Sequence, residues 1–138
     1  MPHTTIQPDG WVPPRGYANG VVASGRMLFT GGMVGWDPTK AEATFPATFD
    51  AQFDQALANV MAVVTKAGGA ATDIVRMTVY VTDKREYLGA LKAIGVSWKK
   101  HLGRHYPAMA LVQVAALVED AAKVEIEATA VLEERTTP

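Results

Sequence analysis

The stretch that decides the fold is Tyr106 to Leu132, YPAMALVQVAALVEDAAKVEIEATAVL. On either side of a polar link at Glu119-Asp120 it alternates with period two, which predicts two strands, near Ala110 to Ala115 and Lys123 to Leu132. The second strand carries carboxylates at Glu125 and Glu127 between apolar neighbours. A half-buried carboxylate costs desolvation energy unless something uses it, so this strand is also where a function is expected.

Working outward, Val75 to Thr82 alternates as well. Val75, Met77, Val79 and Val81 fall on one face, Arg76, Thr78, Tyr80 and Thr82 on the other. Phe49, Phe53, Leu57, Val60 and Val64 recur at helical spacing, with Asp50, Gln52, Asp54, Gln55 and Asn59 mostly filling the other face. This predicts an amphipathic helix over Phe49 to Lys66. Pro46 and Thr48 supply its start signals and Gly68-Gly69 its stop. After Asp83-Lys84 turns the chain, Tyr87, Leu91, Ile94, Trp98 and Leu102 form the buried stripe of a second helix, with a weak point at Gly95.

Towards the N-terminus, Val21 to Ala23 and Met27 to Thr30 are β-prone runs separated by Ser24, Gly25 and Arg26, which predicts a hairpin. Gly31-Gly32 then permits close approach to the main chain, suiting either a ligand contact or a simple turn or bulge. Residues 1–16, with Pro2, Pro8, Pro13 and Pro14, read as an irregular arm that packs extended. An N-terminal proline at Pro2, as tautomerases use, would need a strand to begin there, and the polar His3-Thr4-Thr5 argues against one.

The element order β-β-α-β-α-β-β predicts one α+β domain over residues 1–138, a two-layer arrangement of a mixed sheet with two helices on one face. The opposite face would hold Thr78, Tyr80 and either Val112/Val114 or Leu111/Gln113. That mixture is too apolar to leave in water, and burial between subunits of a symmetric oligomer answers it.

Composition narrows the function classes. A chain of 138 residues with 49% hydrophobic content can bury a core without staples. Its 13 basic and 14 acidic residues nearly cancel, so no global field draws in nucleic acid or anionic lipid. With no cysteine and three histidines, thiol chemistry, disulfides and cysteine metal sites are excluded, and no metal is expected. No secretory leader or membrane-spanning run is visible, so the protein is expected to be soluble and cytoplasmic.

From roughly Gly16 to Leu132 the chain resembles the Rid family, the reactive intermediate deaminases, also called YjgF-like or L-PSP endoribonuclease-like proteins. The resemblance rests on an ordered set of motifs. These are Gly16-Tyr17, Leu28-Phe29-Thr30-Gly31-Gly32, Gln52 with Ala56-Leu57-Ala58-Asn59-Val60, Asp73-Ile74-Val75-Arg76-Met77-Thr78-Val79-Tyr80-Val81, Pro107-Ala108 and Val124-Glu125-Ile126-Glu127-Ala128. It implies a chorismate-mutase-like fold, a homotrimer whose sheets form a central barrel, and clefts between neighbouring subunits. The activity implied is hydrolysis of an enamine or imine such as 2-aminoacrylate to the keto acid and ammonia, with no cofactor. Tyr17 would line the cleft, the main chain at Gly31 would bind substrate, and Glu125 would orient or activate the water. On its residues alone, Glu125 suits a general base or a structural ion pair with Lys123 or Arg76, and Tyr17 a packing aromatic.

Two motifs depart from the family's pattern. Its carboxylate-binding arginine is Met109 here, a thioether without charge, and the usual Asn-x-x-Tyr of the second helix reads Lys92-Ala93-Ile94-Gly95. If the substrate is anionic, its cation must come from elsewhere. Arg15, Lys92 and Arg104 lie nearest the cleft-forming segments, and Arg104 is the first choice, with a solvated loop position as its alternative. His105 is a candidate acid or base, and Trp36 would cap the pocket or cover the core. The expected function is deamination of a small-molecule enamine or imine, of 2-aminoacrylate type or larger, such as a 2-aminomuconate-like compound. The alternative is a non-catalytic trimer that binds a small metabolite. Ribonuclease activity gets little weight without a basic stripe.

Overall fold

The computed structural model describes residues 3–133. Its strands are β1 (Thr4–Ile6), β2 (Gly20–Val22), β3 (Arg26–Phe29), β4 (Met33–Val34), β5 (Ile74–Val81), β6 (Ala108–Gln113) and β7 (Val124–Leu132). Its helices are α1 (Phe49–Lys66), α2 (Lys84–Gly89) and α3 (Leu91–Leu102). The main sheet runs β3-β7-β5-β6, with β4 following β3 along the same edge of β7. Strands β5 and β6 are parallel and the β7 pairings antiparallel, so the sheet is mixed. The two-layer α+β domain expected from the sequence is the one observed.

Helix α1 begins and ends where its residues say. Thr48 caps it by accepting a hydrogen bond from the Ala51 N–H, and Gly68, at φ +89°, takes the left-handed turn that stops it. Phe49, Phe53, Leu57, Val60 and Val64 are all buried against Met77, Val79, Val124 and Ile126 of the sheet. Each such side chain contributes about 1.5–3 kcal/mol by leaving water.

Several expectations are corrected. The two N-terminal runs do not pair as a hairpin, because β2 pairs with β1 and β3 with β7. Ser24-Gly25-Arg26 does redirect the chain, but partner choice is settled by which sheet offers an edge. Thr4–Ile6 is a strand despite its polar start, since exposed edge pairing tolerates threonines; Pro2 lies outside the described residues. A register shift between Ile74 and Arg76 moves Val75 out of phase, so Ile74 joins Met77, Val79 and Val81 in the core. Gln52 and Asn59 are buried rather than on the solvent side of α1. The second helix breaks at Ala90, after Gly89, into α2 and α3, and Leu91 is 51% exposed.

Register assigns the two faces of the sheet. Met77, Val79, Met109, Leu111, Ile126 and Val124 point toward the helices. Thr78, Tyr80, Val112, Glu125 and Glu127 point to the open face, where Met27 and Phe29 are 59% and 66% exposed.

Candidate functional site

The two carboxylates of β7 have different environments. Across the ladder, Thr78 opposes Glu127 and Tyr80 opposes Glu125. The Tyr80 hydroxyl reaches diagonally and donates to Glu127 Oε1 at 2.5 Å. That bond, some burial and the charges of Glu127 and Glu125 raise the Tyr80 phenol above its ordinary value, so it stays a donor. Glu125 has no side-chain hydrogen bond or ion pair among the described residues. Neither structural partner holds it: Lys123 Nζ pairs with Glu86 Oε2 at 3.2 Å, and Arg76 lines a separate polar hollow with Glu127.

The Thr30-Gly31-Gly32 turn shapes the space around Glu125. Thr30 N–H donates to Ala128 O at 2.9 Å, while the Thr30 hydroxyl accepts from the Ala128 N–H at 3.0 Å and donates to Gly31 O at 2.9 Å. The hydroxyl thus replaces a main-chain carbonyl in the ladder, which lets the chain leave β3 and rejoin β7 as β4. Gly31 is left exposed off the ladder with open space where a side chain would stand. Gly32 packs so closely on Glu125 that a Cβ would overlap its carboxylate. Gly32 is therefore the close approach, and the object approached is Glu125.

Beneath this turn lie two residues whose roles the sequence reading missed. Asn59 Nδ2 donates to Val34 O and Trp36 O, both at 3.0 Å. Gln52 Nε2 donates to Pro46 O at 2.9 Å and Ala121 O at 3.0 Å, and its Oε1 accepts from the Lys123 N–H at 2.8 Å. The two amides tie β4 and the start of β7 to α1. A signal was available, since 52 and 59 are seven apart and flank the apolar stripe positions Phe53 and Val60.

The remaining candidates lie elsewhere. Tyr17 is 43% exposed beside the start of β6, where the Ala18 N–H donates to Pro107 O at 2.9 Å. Met109 points to the helix side of the sheet, into a hollow beneath α3. Lys92 lines an outer groove between α1 and α3, and Arg104 is exposed in the loop after α3. His105 Nε2 lies 2.6 Å from Ile74 O, so that nitrogen must donate and the ring fastens this loop to β5. Trp36 packs on Phe45, ring centroids 5.8 Å apart. Within one chain Glu125 and the Gly31-Gly32 turn therefore meet at the open face, Met109 points to the helix side of the same sheet, and Tyr17 lies beside the start of β6. Among the described residues no cluster of three His, Asp or Glu side chains is placed to hold a metal, and no helix is long and apolar enough to cross a membrane.

Residues 11–132 match the sequence model of the family described as Endoribonuclease L-PSP. The 2-iminobutanoate/2-iminopropanoate deaminase of Escherichia coli strain K12 is 37% identical over 107 residues, 78% of this chain and 80% of the deaminase. The crystal structure of YyfB from Yersinia pestis, a protein of the conserved Rid family, matches with a TM-score of 0.82 at 32% identity, covering 96% of this chain and 100% of that one. The structure of E. coli TdcF with bound serine matches with a TM-score of 0.69 at 36% identity, over 90% and 92% of the two chains.

Proposed function

Because the chain belongs to the Endoribonuclease L-PSP family, the family of the Rid proteins, we propose that it is a deaminase that hydrolyses a 2-imino acid or its enamine tautomer. Water adds to the C=N carbon, one water proton passes to the Glu125 carboxylate and from it to the nitrogen, and the resulting aminol collapses to the carbonyl compound as its hydroxyl proton follows by the same carboxylate, releasing ammonia. Atoms balance without a cofactor. The observation that carries this reading is the uncommitted Glu125 carboxylate, set against Gly32 and beside the exposed main chain of Gly31. A general base must be free to take a proton, and Glu127, bound to Tyr80, is not.

The site is completed between subunits of a homotrimer. Support comes from the open face, whose exposed Met27, Phe29 and Val112 need cover, and from the separation of Glu125 from Met109 by the sheet within one chain. A neighbour's β6 end laid against this chain's open face would unite them. Arg104, exposed in the loop before β6, is the cation best placed to meet a substrate carboxylate across that junction, ahead of Lys92 on the outer helix groove.

Ammonia release from a panel of enzymatically generated 2-imino acids, wild type beside Glu125→Ala, tests the proposal. Turnover of any member, falling about 10²–10⁴-fold in the variant, is the expected result. No turnover in an intact oligomer would favour the second reading, a non-catalytic metabolite-binding protein, which Met109 in place of the family's arginine supports.

A further inference from the structure

Between α3 and the sheet lies a hollow of about 220 Å³ whose walls include Met109, Leu111, Leu91, Trp98, Tyr106 and Tyr87. No charged side chain lines it. Its floor is fixed, since Trp98 Nε1 donates to His105 O at 3.0 Å and the Trp98 ring stacks on Tyr106 with centroids 5.8 Å apart and planes 3° from parallel. Neither the Tyr87 nor the Tyr106 hydroxyl has a hydrogen-bond partner among the described residues. An apolar pocket with a few available polar groups is the usual form of a small-molecule site.

Gly95 explains how the hollow stays open. It stands inside α3 and lines the pocket, and a Cβ there would meet no atom within 4 Å. Neither packing nor a left-handed backbone requires glycine at this position, and inside a helix glycine is the least favourable residue after proline. Its one structural consequence is unfilled space. Room of this size exceeds the roughly 150 Å³ cavity that accepts a benzene ring.

We propose that this hollow is the side-chain subsite for the imino acid, and that the preferred substrate carries an aromatic or branched aliphatic group rather than a methyl or ethyl. The inference rests on the deaminase reading. With no cation in the walls, the ligand's carboxylate stays outside the hollow and only its apolar substituent enters.

The test compares ammonia release from the imines of phenylalanine and leucine with that from the imine of alanine, and calorimetric binding of phenylpyruvate with that of pyruvate. Wild type is expected to prefer the larger member of each pair by about 10- to 100-fold. Gly95→Leu, which fills the space and favours the helix, is expected to erase that preference with no loss of thermal stability. Leu91→Trp, narrowing the exposed rim, gives the same test should Gly95→Leu fail to fold. Turnover without preference, or a preference that survives both variants, would overturn the subsite and leave the deaminase standing. Absence of all turnover would overturn the deaminase. Phenylpyruvate binding that disappears in Gly95→Leu would then still establish the pocket, and no binding would overturn it too.

Discussion

The role proposed for Glu125 depends on Gly32, which sets where its carboxylate stands. The glycine Cα packs against the carboxylate, so any side chain at position 32 must push Glu125 aside. The obstructed group is the flexible end of a half-exposed side chain, so the fold should tolerate the change while the geometry should not. Gly32→Ala is therefore expected to lower ammonia release by about 10²-fold, the effect of a misplacement near 1 Å, with thermal unfolding close to wild type. A variant that keeps full activity would show that the position of Glu125 is not critical. Glu127 illustrates the complementary point: the same residue type two positions on is engaged by Tyr80 and has a structural part instead. Sequence singled out Glu125, Gly31 and Met109. It could not tell the free carboxylate from the engaged one, because that depends on a tyrosine forty-seven residues away in sequence.

Among the elements, α1 and α3 are joined by a charge cluster on their outer side. Asp54 accepts from Ser97 Oγ at 2.8 Å, Lys100 Nζ at 3.2 Å and His101 Nε2 at 3.0 Å. Burial alone would raise its carboxyl, but the hydrogen bonds from Ser97, Lys100 and His101 outweigh it and lower it below the ordinary 3.8. A lowered folded value means that the contribution is present above the ordinary carboxyl range and is lost as pH falls through the folded value. With a third of the side chain exposed, the gain is expected to be about 0.5–1 kcal/mol and sensitive to salt. Urea unfolding of wild type and Asp54→Asn should differ by that amount at neutral pH and converge as pH falls through the lowered folded value; a difference unchanged in acid would count against the charge as its source. Element boundaries were legible where the determinants are local: Thr48, the apolar stripe and Gly68 place both ends of α1 correctly. They were not legible where pairing is remote. The Ser24-Gly25-Arg26 turn indicates a change of direction but not that β2 and β3 join different sheets, and the shift at Val75 exists only relative to β7. Buried Gln52 and Asn59 looked like solvent residues because their partners include carbonyls of segments distant in sequence, Ala121 and Val34.

For the whole molecule, the open face of the sheet connects stability with function. Met27, Phe29 and Val112 stand 59%, 66% and 43% exposed on it, beside Thr78, Tyr80, Glu125 and Glu127. The sequence foretold such a face, placing Val112 there in one of its two alternatives, but left its register open; the parallel pairing of Tyr80 with Val112 decides it. Which residues meet across copies is beyond any reading of one chain, and the separation of Met109 from Glu125 by a sheet makes this the central question for the site. If the proposed trimer buries this face, Phe29 lies in the junction, and Phe29→Asp replaces apolar burial of about 1.5–3 kcal/mol with a charge that must be desolvated. Each contact should weaken by at least about 10- to 100-fold. Sedimentation is expected to show the oligomer falling to monomer at micromolar concentration. Circular dichroism should stay helical and sheet-like, because the core between α1, α3 and the sheet does not include Phe29. Ammonia release should be lost with the oligomer, although every residue proposed to act on substrate is unchanged. Full activity in a monomer would mean that Glu125 works without a neighbour, and the site would have to be rebuilt from the open face of one chain, where Arg76 lines a polar hollow with Glu127.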